Sequence, residues 1–240
     1  MGDTLKIKKG KTLMVAHRGV SGIECENTAA AFVAAGNRSY AGIETDVHVS
    51  ADGKFVIVHD DNLYRISGVE TVIEGAKFPE ISDVHLYDME KGVYRRDLVL
   101  PTLDEYIRIC RRYEKTAVLE LKNRIEPKYI KKIVSEIKKL GRLDSTIFIS
   151  FNFENLIDVK KLVPTQKVQF LASKWDDGLP EKLKENGFDL DLRYTELTKE
   201  RLDLLHSFGI TVNVWTVNDP SDGERLAEWG VDYITTNILE

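Results

Sequence analysis

From Gly42 to Arg65 the chain runs two alternating apolar stretches on either side of Asp52-Gly53, a pattern that predicts a β-hairpin. In the first stretch the period of two puts Glu44, Asp46 and His48 on one face. With Asp52 and Gly53 as the two central turn residues, Ala51 pairs with Lys54 and His59 falls opposite Asp46. Directly opposed residues share a face, with Cβ atoms roughly 4.5–5.5 Å apart. This register joins two carboxylates to an imidazole, and a slip of one residue would turn His59 away.

Elsewhere, short apolar runs alternate with helical patterns. Strands are predicted at Leu13–Ala16, Ile43–Val47, Ala117–Leu121, Ile147–Ser150, Val168–Leu171, Phe188–Leu192, Thr211–Val217 and Tyr233–Thr235, with Phe55–His59 as the antiparallel return. Helical patterns fall between them. One is Asn27–Ala35, with Asn27 and Thr28 as its cap. Another is Thr102–Glu114, with Thr102 and Glu105 at capping-box spacing and Leu103, Tyr106, Ile107 and Cys110 as its apolar stripe. Residues 62–101 show no clear period and are expected to hold some helix or a small lid. Eight strands with helices between them predict an α/β fold, a (β/α)8 barrel over residues 1–240 as one domain. The hairpin arm after strand two and the 62–101 insertion distort it. No Gly-x-Gly-x-x-Gly follows the first strand, which lowers an open dinucleotide-binding sheet.

Composition adjusts this picture in a few places. Hydrophobic content of 42% and charged content of 30% fit an ordinary globular chain. Cys25 and Cys110 stand in no metal-type spacing, which favours a reducing compartment. The N-terminus has no signal-type apolar region and no run reaches the ~18 apolar residues of a membrane span, so a cytoplasmic location is expected. A net charge of −5 argues against a nucleic-acid binder, while leaving an anionic small molecule open if cations gather locally. Oligomeric state is left open.

In such a barrel the active site lies at the C-terminal ends of the strands. The polar residues there are His17, Arg18, Glu44, Asp46, Glu120, Lys122, Ser150, Trp215 and Asn218, with His59 arriving through the hairpin. Glu120 and Lys122 share the inward face where Val, Ile or Leu is usual. Glu44, Asp46 and Glu120 offer three oxygen ligands for a divalent metal, Mg²⁺ or Ca²⁺. Arg18 and Lys122 suit an anionic group, and His17 and His59 suit proton transfer on either side of a reacting phosphorus.

The fragments His17-Arg18-Gly19, Glu26-Asn27-Thr28, Ala31-Phe32, Glu44 with Asp46, Asp52-Gly53, His59-Asp60, Pro101-Thr102-Leu103, Glu120 with Lys122, and Trp215 to Asn218 together resemble the glycerophosphodiester phosphodiesterase family. Each alone is unspecific; their order and spacing carry the likeness, from about residue 13 to the C-terminus. The resemblance implies a distorted TIM barrel that hydrolyses glycerophosphodiesters to glycerol 3-phosphate and an alcohol. It makes His17 and His59 the acid–base pair, Glu44, Asp46 and Glu120 the metal ligands, and Arg18 and Lys122 the phosphate contacts. The related phosphoinositide phospholipases add attack by a substrate hydroxyl through a cyclic phosphate. Two departures stand out: Cys25 replaces the family's usual Pro, and Tyr64 to Glu70 differs from its Arg-Thr-Thr-rich run.

Plainer readings stand beside these. Lys122 can neutralise Glu120 as a structural ion pair, Trp215 can be a substrate contact or simple barrel packing, and His48 can sit at the pocket rim or on a solvated surface. His85 and His206 read as structural. The alternative enzyme is a lysophospholipase D or a phospholipase C-like activity on a lipid. The alternative outside enzymes is a non-catalytic metal- or phosphate-binding barrel.

Overall fold

The computed structural model describes residues 3–90 and 92–240, so Met1 and Gly2 of the N-terminal reading and Lys91 of the insertion lie outside the described residues. Nine strands are present among the described residues. They are β1 (Leu13–Ala16), β2 (Gly42–Val49), β3 (Phe55–Ile57), β4 (Thr116–Leu121), β5 (Thr146–Ser150), β6 (Val168–Ala172), β7 (Asp189–Arg193), β8 (Val212–Trp215) and β9 (Tyr233–Thr236). All but β3 are parallel neighbours in the order β1-β9-β8-β7-β6-β5-β4-β2, and β1 also pairs with β2, which closes an eight-stranded barrel.

Helices cover the outside, and their starts show why the chain turns where it does. Thr28, Thr102 and Thr198 each cap a helix through the side chain, and Asp219 does the same before Pro220–Trp229. The predicted stripe of Leu103, Tyr106, Ile107 and Cys110 is buried in the main core. The strand faces turned toward these helices are apolar, mostly Leu, Ile and Val with Met14, Phe148 and small alanines. Inside the barrel, Val15, Val118, Ile147, Ile149 and Leu171 form a smaller apolar cluster, and inward polar residues stand beside it in register: Glu44 by Val118, Glu120 by Ile149 and Asp191 by Leu171.

The hairpin differs from its predicted register. Val47, His48 and Val49 pair with Ile57, Val56 and Phe55, which places Val58, not His59, opposite Asp46. The loop has three residues, Ala51 to Gly53, because Ser50 N–H bonds the Lys54 carbonyl and Gly53 takes a left-handed φ of +77°. The strand ends at Ile57, and His59 lies in the bend beyond it.

The insertion consists of short pieces: helices Tyr64–Ser67 and Phe78–Ile81 and a 3₁₀ turn at Ile73–Gly75. They enclose a second core in which Leu63, Ile73, Ile81, Leu86 and Leu98 are buried with Val56 and Val58 of the hairpin. Burying such side chains contributes roughly 1.5–3 kcal/mol each, so packing holds this segment without a long element. Among the described residues no helix is long and apolar enough to cross a membrane.

Candidate active site

β1 ends at Ala16, which leaves His17 and Arg18 at the C-terminal rim. The turn is tight: Arg18 has φ +52°, and a Cβ on Gly19 would come within 2.6 Å of the Ala31 side chain. This turn aims the Arg18 N–H at Glu44 Oε2, 2.7 Å away. On β2 and β4, Asp46 pairs with Glu120 in register, so their side chains and that of Glu44 rise from adjacent strands.

One ligand atom from each of Glu44, Asp46 and Glu120 lies within 4.8 Å of the others, and all three residues are buried. Lys122 Nζ is 3.0 Å from Glu120 Oε1 and 3.5 Å from Asp46 Oδ1, and Arg18 Nε is 3.8 Å from Asp46 Oδ2. Asp46 Oδ1 has no hydrogen-bond partner among the described residues. Three buried carboxylates with an unpartnered oxygen make a hard-donor set, and it fits a divalent cation such as Mg²⁺ or Ca²⁺.

Charge is unevenly held in this cluster. Burial and then the Asp46 charge raise Glu44 well above the usual carboxylate range. The same two causes raise Glu120 to about 8. Burial also works against Asp46, but Lys122 and Arg18 outweigh it and keep its pKa low.

Each imidazole is oriented through Nδ1. His17 Nδ1–H donates to Asn237 Oδ1 at 2.7 Å, and His59 Nδ1–H donates to Asp60 Oδ1 at 2.7 Å. Burial, with Arg18 adding to it, lowers His17 to about 4. Burial lowers His59 too, opposed by Asp46 and Asp60. Behind them runs a charge network: Arg65 forks onto Glu26 (2.6 and 3.0 Å) and onto Asp60 (2.5 and 3.1 Å), and Glu26 accepts from Arg18 at 2.9 Å.

A cavity of about 90 Å³ is lined by His17, Arg18, Glu44, His59, Glu120 and Trp215 among others. Asp46 is not among its lining residues but stands in register with Glu120, which is. Lys122 opens instead onto a neighbouring cleft of about 330 Å³ that shares Glu120 and Phe151. A cavity of about 570 Å³ between the hairpin tip and the 127–139 helix holds none of these groups.

Several sequence readings change. Asn27 is not the helix cap; Thr28 is. Asn27 takes φ +53°, donates to Asp46 Oδ2 at 2.8 Å and accepts from Thr45 at 2.6 Å, so it fixes the carboxylate. His48 is at neither a rim nor a solvated surface: it is fully buried, with Nδ1 3.0 Å from Glu74 Oε1 and Nε2 3.3 Å from the His59 carbonyl. Ser150 and Asn218 bond to backbone as loop supports. Residues not singled out individually in the sequence also stand here: Glu26, Arg65, Asn237, Phe151 and Asp191. Asp191 had a signal, since Asp189-Leu190-Asp191-Leu192 alternates as Leu119 to Lys122 does.

Fold and site together define a parallel eight-stranded barrel hydrolase with an acidic cluster and two imidazoles at the C-terminal strand ends. Residues 17–240 match the model of the glycerophosphoryl diester phosphodiesterase family, and the chain belongs to that family and is an enzyme, a phosphoric diester hydrolase. It is 32% identical over 238 residues to a glycerophosphodiester phosphodiesterase of Caldanaerobacter subterraneus, covering 96% of each chain. It is 24% identical to a human lysophospholipase D, covering 93% of this chain and 82% of that one. Among solved structures it resembles an Oleispira antarctica phosphodiesterase in complex with the product sn-glycerol-3-phosphate. That likeness has a TM-score of 0.85 and 26% identity, and covers 97% of this chain and 95% of the other.

Proposed function

We propose that the chain hydrolyses glycerophosphodiesters to glycerol 3-phosphate and an alcohol, with a divalent cation on Glu44, Asp46 and Glu120. The observation that carries this is the convergence of three buried carboxylates within 4.8 Å and two imidazoles on one small cavity. The product bound by the Oleispira antarctica relative supports the same substrate class.

A cation bound there supplies charge neutralisation and polarises phosphoryl oxygens. All-oxygen donors suit Mg²⁺ and Ca²⁺ alike. The protein groups do the rest. Arg18, held in place by Glu26, offers a fork to the phosphate, and Lys122 offers a point charge from the adjoining cleft. One imidazole takes the proton of the attacking oxygen and the other gives a proton to the departing one. With Nδ1 tied, Nε2 of each has no protein partner among the described residues and meets the substrate. At His59, Asp46 and then Asp60 favour the charged form against burial. Trp215, edge-on to Phe151 at 5.6 Å, gives the substrate an apolar wall. The residues work as one unit, and the 62–101 insertion reaches the site through Arg65, which bonds Asp60 and Glu26. The two unbridged cysteines support a cytoplasmic setting.

Release of glycerol 3-phosphate from glycerophosphocholine or glycerophosphoethanolamine, with and without Mg²⁺ or Ca²⁺, tests this. Folded protein without divalent-dependent turnover would sink it. His17→Ala and His59→Ala should each lose about 10²- to 10⁴-fold in kcat and keep the cation's effect on thermal stability.

A second reading, lysophospholipid cleavage, draws on exposed apolar side chains of the insertion, Tyr64, Val69, Val72, Met89 and Tyr94. Tyr64 stands on a one-turn helix and the others on isolated bridges and irregular chain, not on an apolar helix. Equal or faster turnover of an acylated glycerophosphodiester than of its water-soluble counterpart would favour that reading.

A further inference from the structure

On β7 the leucines Leu190 and Leu192 are buried in the main core, so the period of two sends Asp191 into the barrel. Asp191 is 1% exposed and lines the same cavity as His17, Glu44, Glu120 and Trp215. Its Oδ1 has no hydrogen-bond partner among the described residues. Nearby inward polar groups satisfy one another without it: Asn213 donates to Gln169 at 3.3 Å and accepts from Thr235 at 3.2 Å. A buried polar group left unpaired costs about 1–3 kcal/mol. Here it faces the cavity that His17, His59 and Glu120 also line.

Part of the cavity is apolar. Leu171 stands in register with Asp191, Ile149, Phe151 and Trp215 share the cavity, and the Trp215 Nε1–H is tied to the Asp191 carbonyl at 3.1 Å, while His17, Arg18, Glu44, His59 and Glu120 line the rest. A carboxyl beside apolar side chains, in a cavity that also holds the Arg18 cation and two imidazoles, matches a short carbon chain bearing a hydroxyl next to a phosphate. Resting on the phosphodiesterase reading above, we propose that the Asp191 side chain hydrogen-bonds a hydroxyl of the substrate's glycerol moiety and so selects glycerol phosphates over phosphates lacking that hydroxyl. A carboxyl can do this in either charge state, accepting when ionised and both donating and accepting when protonated. Burial, reinforced by the Glu120 charge, favours the protonated form, which adds no repulsion beside a phosphate.

Calorimetric binding of glycerol 3-phosphate and of propyl phosphate, with a saturating divalent cation, tests the assignment on wild type, Asp191→Ala and Asp191→Asn. Propyl phosphate keeps the phosphate and the three carbons and lacks the hydroxyls. Wild type is expected to prefer glycerol 3-phosphate by about tenfold or more, or about 1.4 kcal/mol. Asp191→Ala should lose that preference through weaker glycerol 3-phosphate binding at unchanged propyl phosphate binding, and Asp191→Asn should recover part of it. A preference that survives in Asp191→Ala, an equal loss for both phosphates, or no preference in wild type overturns the proposal. Asp191→Ala should also unfold no lower than wild type, which a structural role would not allow. Asp191→Val takes its place in the same comparison if the alanine variant does not fold. Glycerol 3-phosphate release by wild type is scored separately: its absence overturns the phosphodiesterase reading, whereas turnover without hydroxyl preference overturns only the role of Asp191.

Discussion

Arg65 holds two carboxylates at once. One of them, Asp60, orients His59, and the other, Glu26, holds Arg18. Burial works against the Asp60 charge, but the hydrogen bonds and charges of Arg65 and His59 together outweigh it and take Asp60 down to about 2. Arg65 is half exposed, so its ion pairs contribute only about 0–1 kcal/mol each to stability. Its effect should therefore appear in turnover. Arg65→Met is expected to lower kcat by about ten- to a hundredfold with a thermal midpoint close to wild type, from a loss of orientation. Arg65→Lys should recover little, because an ammonium cannot fork onto two carboxylates. Wild-type kcat in Arg65→Met would remove it from the site. The sequence made some residues legible and hid others for a simple reason. His17, Glu44, Asp46, Glu120 and Lys122 sit on or directly after strands, where alternation fixes direction. Glu26 and Asn237 come from loops and Arg65 from a one-turn helix, and neither these nor the left-handed turns at Arg18 and Asn27 leave a periodic trace.

At the scale of elements, the β2–β3 hairpin shows how much one residue matters. Asp-Gly between alternating runs signals a hairpin, but the same dipeptide serves a two-residue turn and a three-residue loop ending in a left-handed glycine. Here Ser50 settles it, accepting from Lys54 N–H and donating to Asp52. The three-residue loop puts Val58 opposite Asp46, and His59 reaches the cavity only because the strand has already ended. Gly53 is central to that loop: its φ is +77°, and a Cβ would lie 2.9 Å from the Tyr129 ring. Gly53→Ala should cost about 1–3 kcal/mol, read as a fall of several degrees in the thermal midpoint. An unchanged midpoint would mean that the loop relaxes into another turn. The insertion was unreadable for a related reason. Its helices span four residues each, too short for a period, and its core is assembled from residues as distant as Val56 and Leu100.

For the whole molecule, the site sets how stability follows pH. His17 titrates at about 4 when folded and near 6.5 when unfolded, so the unfolded chain takes up its proton first and stability falls as pH drops through that window. His59 shifts the same way. Glu120 runs opposite: it releases its proton near 4.5 when unfolded and at about 8 when folded, so stability falls as pH rises through that interval. Glu44 and Asp191 share its direction. Above about pH 7.5 the imidazoles are largely neutral in both states and the acids act alone, and between about pH 6.5 and 7.5 the last protons on the unfolded imidazoles oppose the acids only weakly. Protein stripped of divalent cations should therefore have a thermal midpoint that declines from pH 6.5 to 8, at up to about 1.4 kcal/mol per pH unit for each proton involved. A divalent cation needs the carboxylates ionised and gathered, which only the folded chain provides, so added Mg²⁺ or Ca²⁺ should raise the midpoint and do so more at pH 8 than at pH 6.5. Glu120→Gln removes one of the opposed charges. It should flatten the metal-free decline and lose most of the response to cation. Differential scanning fluorimetry across this range, with chelator and with cation, reads all three. A metal-free midpoint that holds steady or climbs toward pH 8 would mean that the three acids do not crowd charge as their burial requires.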